Sequence, residues 1–174
     1  MRRRDVKSFG YGLVIVASAT LMLTGCSTFI GGFGPSTPAQ AQVADLPDIG
    51  GYTADTALSA ARGHFKASDY GYSAALYKRV VELSPKNPQG YVGLGASYDH
   101  LGRFDLSDRV YASLFQLSGG TAQYYNNVGY SYMLRGNLPA ALTNFRKAKK
   151  LDPQNLVVAN NLQILANAAA STRA

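Results

Sequence analysis

From Ala54 onward the apolar positions fall into short helical stripes, and the whole pattern repeats every 34 residues in windows that open at Ala54, Pro88 and Ala122. Matching positions carry matching chemistry. The eighth holds Ala61, Gly95 and Gly129, small groups that let two helices approach, and three residues on stand the bulkier His64, Tyr98 and Tyr132. In each second helix Ser73, Ser107 and Ala141 are the small partners and Tyr77, Tyr111 and Phe145 the aromatic knobs, followed by Val80, Leu114 and Ala148. The pattern predicts helices over 53–66, 70–84, 88–101, 104–117, 122–135 and 138–151, with a closing helix over 156–170.

Local punctuation agrees with that register. Asn87 followed by Pro88 is an N-cap with proline at the first helical position, and Asn137 and Asn155 can cap in the same way. Gly102 and Gly136 fall at the turns within hairpins, where a left-handed backbone costs glycine least. Pro85 and Pro153 end their repeats, and Gly119 stands at that place in the second. The fold class is therefore all-α, a solenoid of three helical hairpins with a C-terminal capping helix. Each hairpin leaves an apolar face that only a neighbour can cover. In the closing helix Leu156, Ala159, Leu162, Ile164 and Leu165 are expected to meet the stack, with Asn160, Asn161 and Gln163 towards water.

These residues resemble the tetratricopeptide (TPR) family over about residues 54–153. The third repeat fits best, through Tyr125, Val128, Gly129, Tyr132, Ala141, Phe145, Ala148 and Pro153; the first departs most, with Ala57 and His64 where aromatic residues are usual. The resemblance implies a domain over 53–174 with repeats at 54–87, 88–121 and 122–155, and a concave face that receives a segment of another protein. Transferring the family positions one at a time puts Leu58, Arg62, Phe65, Val92, Ala96, Asp99, Gln123, Asn126, Tyr130 and Met133 on that face. Phe65, Tyr130 and Met133 would serve as apolar anchors. Leu58, Gly93 and Gln123 replace three residues of the clamp by which chaperone-type members hold a C-terminal carboxylate, which disfavours such a ligand.

Ahead of the repeats, Met1-Arg2-Arg3-Arg4 precedes an apolar run from Phe9 to Leu23, closed by Leu23-Thr24-Gly25-Cys26. About fifteen apolar-biased residues fall short of the roughly 20 that a transmembrane helix needs. The arrangement resembles bacterial lipoprotein signals, with residues 1–25 as the signal peptide. That resemblance implies cleavage before Cys26, a covalent lipid on its sulfur and, with Ser27 rather than Asp next, delivery to the outer membrane. Residues 26–52 then read as a lipidated cysteine and a flexible Gly- and Pro-rich linker, with a reach of roughly 25–30 Å.

The formal charge of +7 falls to +4 once Arg2, Arg3, Arg4, Lys7 and Asp5 leave with the signal, so no nucleic-acid partner is inferred. A single cysteine excludes a disulfide within the chain. His64 occupies a packing position, His100 sits near a helix end, and no zinc-protease, nucleophile-elbow or phosphate-loop motif occurs. No cofactor beyond the lipid and no metal is expected, and the chain reads as a non-enzyme. Lys147, Lys149 and Lys150 read as a solvated face near a helix C-terminus.

Through Tyr125-Asn126-Asn127-Val128-Gly129-Tyr130, Gly136, Ala140-Ala141-Leu142 and Asn160-Asn161-Leu162, the chain resembles tight-adherence (Flp) pilus assembly lipoproteins. This implies an adaptor anchored on the periplasmic face of the outer membrane that holds a segment of a pilus or secretion component, a secretin among the candidates. Two alternatives stand beside it. One is an adaptor for outer-membrane barrel assembly or cell-wall hydrolases. The other is a peptidoglycan-acting enzyme, for which Asp99, Asp105 and Asp108 would have to converge.

Overall fold

A computed structural model of the chain describes residues 50–171, so the leader, Cys26 and the linker before Gly50 lie outside the described residues. Among these, seven helices and no strands occur: α1 Ala54–Lys66, α2 Tyr70–Leu83, α3 Pro88–His100, α4 Phe104–Ser118, α5 Ala122–Leu134, α6 Leu138–Leu151 and α7 Leu156–Ser171. The fold is the all-α, TPR-like solenoid of helical hairpins that the 34-residue period predicts. Each expected boundary lies within a residue of the observed one.

The caps follow from the residues named for them. Asn87 Oδ1 accepts from the Gln89 amide at 3.0 Å, Asn137 Oδ1 from Ala140 at 3.2 Å, and Asn155 Oδ1 from both Val157 and Val158. Each such cap stabilises its helix by about 1 kcal/mol. Gly102 and Gly136 turn their hairpins at φ of 69° and 74°, and the equivalent turn in the first hairpin forces Ser68 to φ 60°.

Within hairpins the small residues bring backbones together. A Cβ added to Gly95 would lie 2.6 Å from the Tyr111 ring, and one on Gly129 would lie 2.7 Å from Phe145. Between hairpins the same device recurs: the Tyr77 ring of α2 rests on α3 so closely that a Cβ on Gly93 would meet it at 2.1 Å. Val80, Leu114 and Ala148 are all buried.

Hydrophobic packing forms two clusters rather than one. The first joins Ala61, Ala74, Leu76, Tyr77, Leu94, Tyr98 and Leu101, with Tyr52 packed against it just ahead of α1; the second gathers Ala141, Phe145 and Leu165. Between them α4 meets α5 over a much thinner interface than α2 meets α3, across the Gly119-Gly120 connection.

Helix α7 covers the third hairpin with Leu162 and Leu165 as expected, but not with Leu156, Ala159 or Ile164. Val158, Asn161 and Leu165 point inward, whereas Leu156 is 83% exposed and Ile164 42%. The spacing of three and four residues explains the buried stripe. Asn161 tolerates burial because its Nδ2 donates to Asn126 Oδ1 at 2.8 Å.

Candidate partner-binding face

Successive first helices touch one another (α1 with α3, α3 with α5, α5 with α7), whereas successive second helices do not. The ribbon therefore curves with the first helices on its hollow side. Most of the residues transferred from the family lie on these helices within reach of that side. Arg62 is exposed and donates to Gln89 Oε1, bridging α1 to α3. Leu58 and Phe65 are half-buried against the first cluster, and Tyr130 and Met133 against the second. Val92 and Ala96 are half-buried, Gln123 is exposed, and Asn126 is held by Asn161.

An aromatic row connects these helices. Phe65 meets Tyr70 edge-on with centroids 5.3 Å apart and His100 at 5.4 Å; His100 stacks on Tyr70 at 4.3 Å with rings 7° from parallel; Tyr130 follows at 5.9 Å. Burial pushes the His100 imidazole below its usual value, against the opposing pull of the Asp99 carboxylate. The ring is neutral at neutral pH, which suits stacking among uncharged aromatics. No reading of the sequence linked His100 or Tyr70 to Tyr130. The signal was there in an aromatic side chain at the end of one helix and the start of the next, but repeat spacing alone does not join them.

Asp99 requires a correction. Expected to line the hollow face, it is only 3% exposed and sits where α3, α4 and α5 meet. Its Oδ2 accepts from the Tyr111 hydroxyl at 2.8 Å and its Oδ1 from the Ser131 hydroxyl at 2.6 Å. Arg135 Nη2 in turn donates to Ser131 Oγ at 2.8 Å, and the guanidinium binds both carboxylate oxygens of Asp108 on α4 while stacking over Phe104 at 4.8 Å. Burial raises the Asp99 carboxyl above its usual range, with the surrounding hydroxyls and Arg135 offsetting part of the rise. Tyr111 is pushed well up by burial and by the Asp99 charge. One sequence cue existed, since the other repeats place Phe65 and Met133 at the position Asp99 occupies.

The three aspartates weighed for hydrolysis do not converge. Asp99 is sealed in that network, Asp105 pairs with Arg103 and Arg109, and Asp108 with Arg135. His64 pairs with Asp69 at 2.9 Å and stacks on Tyr72 at 5.3 Å. Among the described residues, no group of three or more His, Cys, Asp or Glu could hold a metal, and no helix is long and apolar enough to cross a membrane.

A solenoid of paired helices with this spacing is TPR-like, and comparison with known proteins agrees. Residues 122–155 match the family model described as Tetratricopeptide repeat. The chain is similar to the Small glutamine-rich tetratricopeptide repeat-containing protein 2 of Mycosarcoma maydis, at 28% identity over 98 residues, which is 55% of this chain and 27% of that protein's length. Its fold is similar to the first TPR domain of human RPAP3, with a TM-score of 0.60 at 20% identity over 70% of this chain and 95% of that one. It is also similar to the first TPR of Spaghetti (RPAP3) bound to the HSP90 peptide SRMEEVD, with a TM-score of 0.57 at 19% identity over 68% and 94% of the two chains. These likenesses establish a TPR-like repeat fold, with one repeat over residues 122–155 matched at the level of sequence.

Proposed function

We propose that the protein is an adaptor, anchored through lipid on Cys26 to the periplasmic face of the outer membrane, whose hollow side holds a segment of a protein partner during assembly of a pilus or secretion machine of the tight-adherence type. A secretin is one such partner. The aromatic row from Phe65 through Tyr70 and His100 to Tyr130 carries this reading, because half-buried rings already fixed by one another can anchor an apolar segment with little loss of side-chain freedom. Gln123 stands exposed two turns earlier than Tyr130 on α5, a donor and acceptor for a bound main chain.

That a neighbour of similar fold is bound to an HSP90 peptide supports a peptide segment as the class of ligand. The clamp positions differ here: Leu58 is apolar and packed, and Gly93 lies beneath the Tyr77 ring. An apolar or aromatic segment fits this face better than a terminal carboxylate. Two or three acyl chains would confine the domain to one leaflet and raise its effective concentration for a membrane-bound partner.

Recovery of partners by the full-length protein from envelope extract tests the proposal. A secretin or pilus component should be recovered with the wild type and lost with Tyr130→Ala and with Met133→Ala, both checked for retained helicity. Recovery of a barrel-assembly component or a hydrolase with the same dependence would move the adaptor to another machine, and recovery indifferent to both substitutions would reject the hollow face. Mass spectrometry of the processed amino terminus reads the lipid on Cys26 directly.

A further inference from the structure

Among the described residues, the α6–α7 end of the stack carries a second groove. Leu138, Pro139 and Leu142 of α6 and Leu162, Leu165 and Ala166 of α7 line an apolar trough of about 600 Å³. The 34-residue register says what such a trough holds. Two repeats earlier, Tyr70 and Ala74 stand at the positions of Leu138 and Leu142, and Leu94 and Tyr98 at those of Leu162 and Ala166. There Leu106 and Val110 of α4 pack against the cluster that contains Leu94 and Tyr98, on the α3 side of the trough, since α4 does not touch α2. The α7 side of the trough, at the register positions of Leu94 and Tyr98, thus suits a helix with apolar side chains four residues apart, as Leu106 and Val110 are on α4.

Charge narrows the occupant. The row of Leu138 and Leu142 continues along α6, one turn at a time, to Arg146 and Lys150, both exposed, and neither α6 nor α7 contains an acidic residue. A second copy of this chain would set the same cations against these. A helix with acidic residues one or two turns beyond its apolar pair meets them with opposite charge. We propose that the α6–α7 trough is a docking site, separate from the hollow face, for an amphipathic helix of a partner protein that presents leucine-like side chains at i and i+4 followed by Glu or Asp.

Two synthetic helical peptides test it against the full-length chain by fluorescence anisotropy: one with a Leu pair followed by two Glu, the other with Lys in place of Glu. The acidic peptide should bind about ten-fold more tightly than the basic one. Ala166→Arg, at an exposed position that circular dichroism can show to leave the helices intact, should weaken it by at least about ten-fold, and Arg146→Glu should reverse the preference between the peptides. Phe65→Ala, which alters the hollow face at the first cluster and touches none of the trough residues, should leave this binding unchanged, which separates the trough from the hollow face. Absence of binding, equal affinity for both peptides, or a dimer in sedimentation that Ala166→Arg disperses would overturn the assignment.

Discussion

The join between the first and second hairpins and the join between the second and third solve the same problem with opposite chemistry. At the first, Tyr77 lies on the backbone of Gly93, and Val80 and Val81 crowd Gly90, so the join is mostly tight apolar packing, with one buried hydrogen bond between the Ser73 and Ser97 hydroxyls. At the second, Asp99, Tyr111, Ser131, Arg135 and Asp108 form a chain of hydrogen bonds through a thin contact. An apolar join contributes burial and tolerates no added volume. A polar one adds little net stability but fixes register, since each group is satisfied in a single arrangement.

Breaking the apolar join should have the largest effect. Gly93→Ala sets a methyl group inside the Tyr77 ring, and overpacking of that kind costs about 3 kcal/mol. Urea denaturation should show the midpoint fall with loss of the whole domain. Asp99→Ala leaves the hydroxyls of Tyr111 and Ser131 without their shared acceptor, a loss of about 2 kcal/mol. Hydrogen exchange should then show α5 to α7 losing protection before α1 to α4, the reverse of what an evenly distributed stack would do.

A pH series sharpens the contrast without altering a contact. Because burial raises the folded Asp99 carboxyl, the folded state holds its proton to higher pH than the unfolded state does. Its contribution is complete below the unfolded value of about 3.9 and is lost as pH rises through the folded value. Acidifying from neutral through the folded value towards the unfolded one, about 3.9, should therefore stabilise the wild type relative to Asp99→Asn, measured by urea midpoints at each pH. A gap that widens in the other direction would show that the carboxyl is not held as described.

The smallest expected effect lies in the first hairpin. Ser68 adopts the positive φ that Gly102 and Gly136 adopt in the other two, so Ser68→Gly should relieve strain and stabilise by about 0.5–1 kcal/mol, read as a small rise in Tm.

The helices were legible because period, caps and turn glycines each mark the same boundaries. Packing within hairpins was legible too, since Gly95 and Gly129 can only mean close approach beside rings such as Tyr111 and Phe145. What lay between hairpins was not. Asp99 shares a repeat position with Phe65 and Met133, and only the joint placement of α4 and α5 supplies the hydroxyls that let a carboxylate be buried. The inward turn of Asn161 was hidden for the same reason: its partner, Asn126, lies 35 residues away in sequence. Apolarity alone pointed Leu156 and Ile164 inward along with Leu165, where helix geometry keeps Leu165 and adds Val158 in place of the other two.

The hollow side is probed most directly by a photoreactive phenylalanine analogue placed in turn at Tyr130, at Met133 and at the exposed Lys78 of α2, in the full-length protein within intact cells. One envelope protein should be captured from Tyr130 and Met133 and not from Lys78. Capture from all three alike, or from Lys78 alone, would contradict a partner held by the first helices.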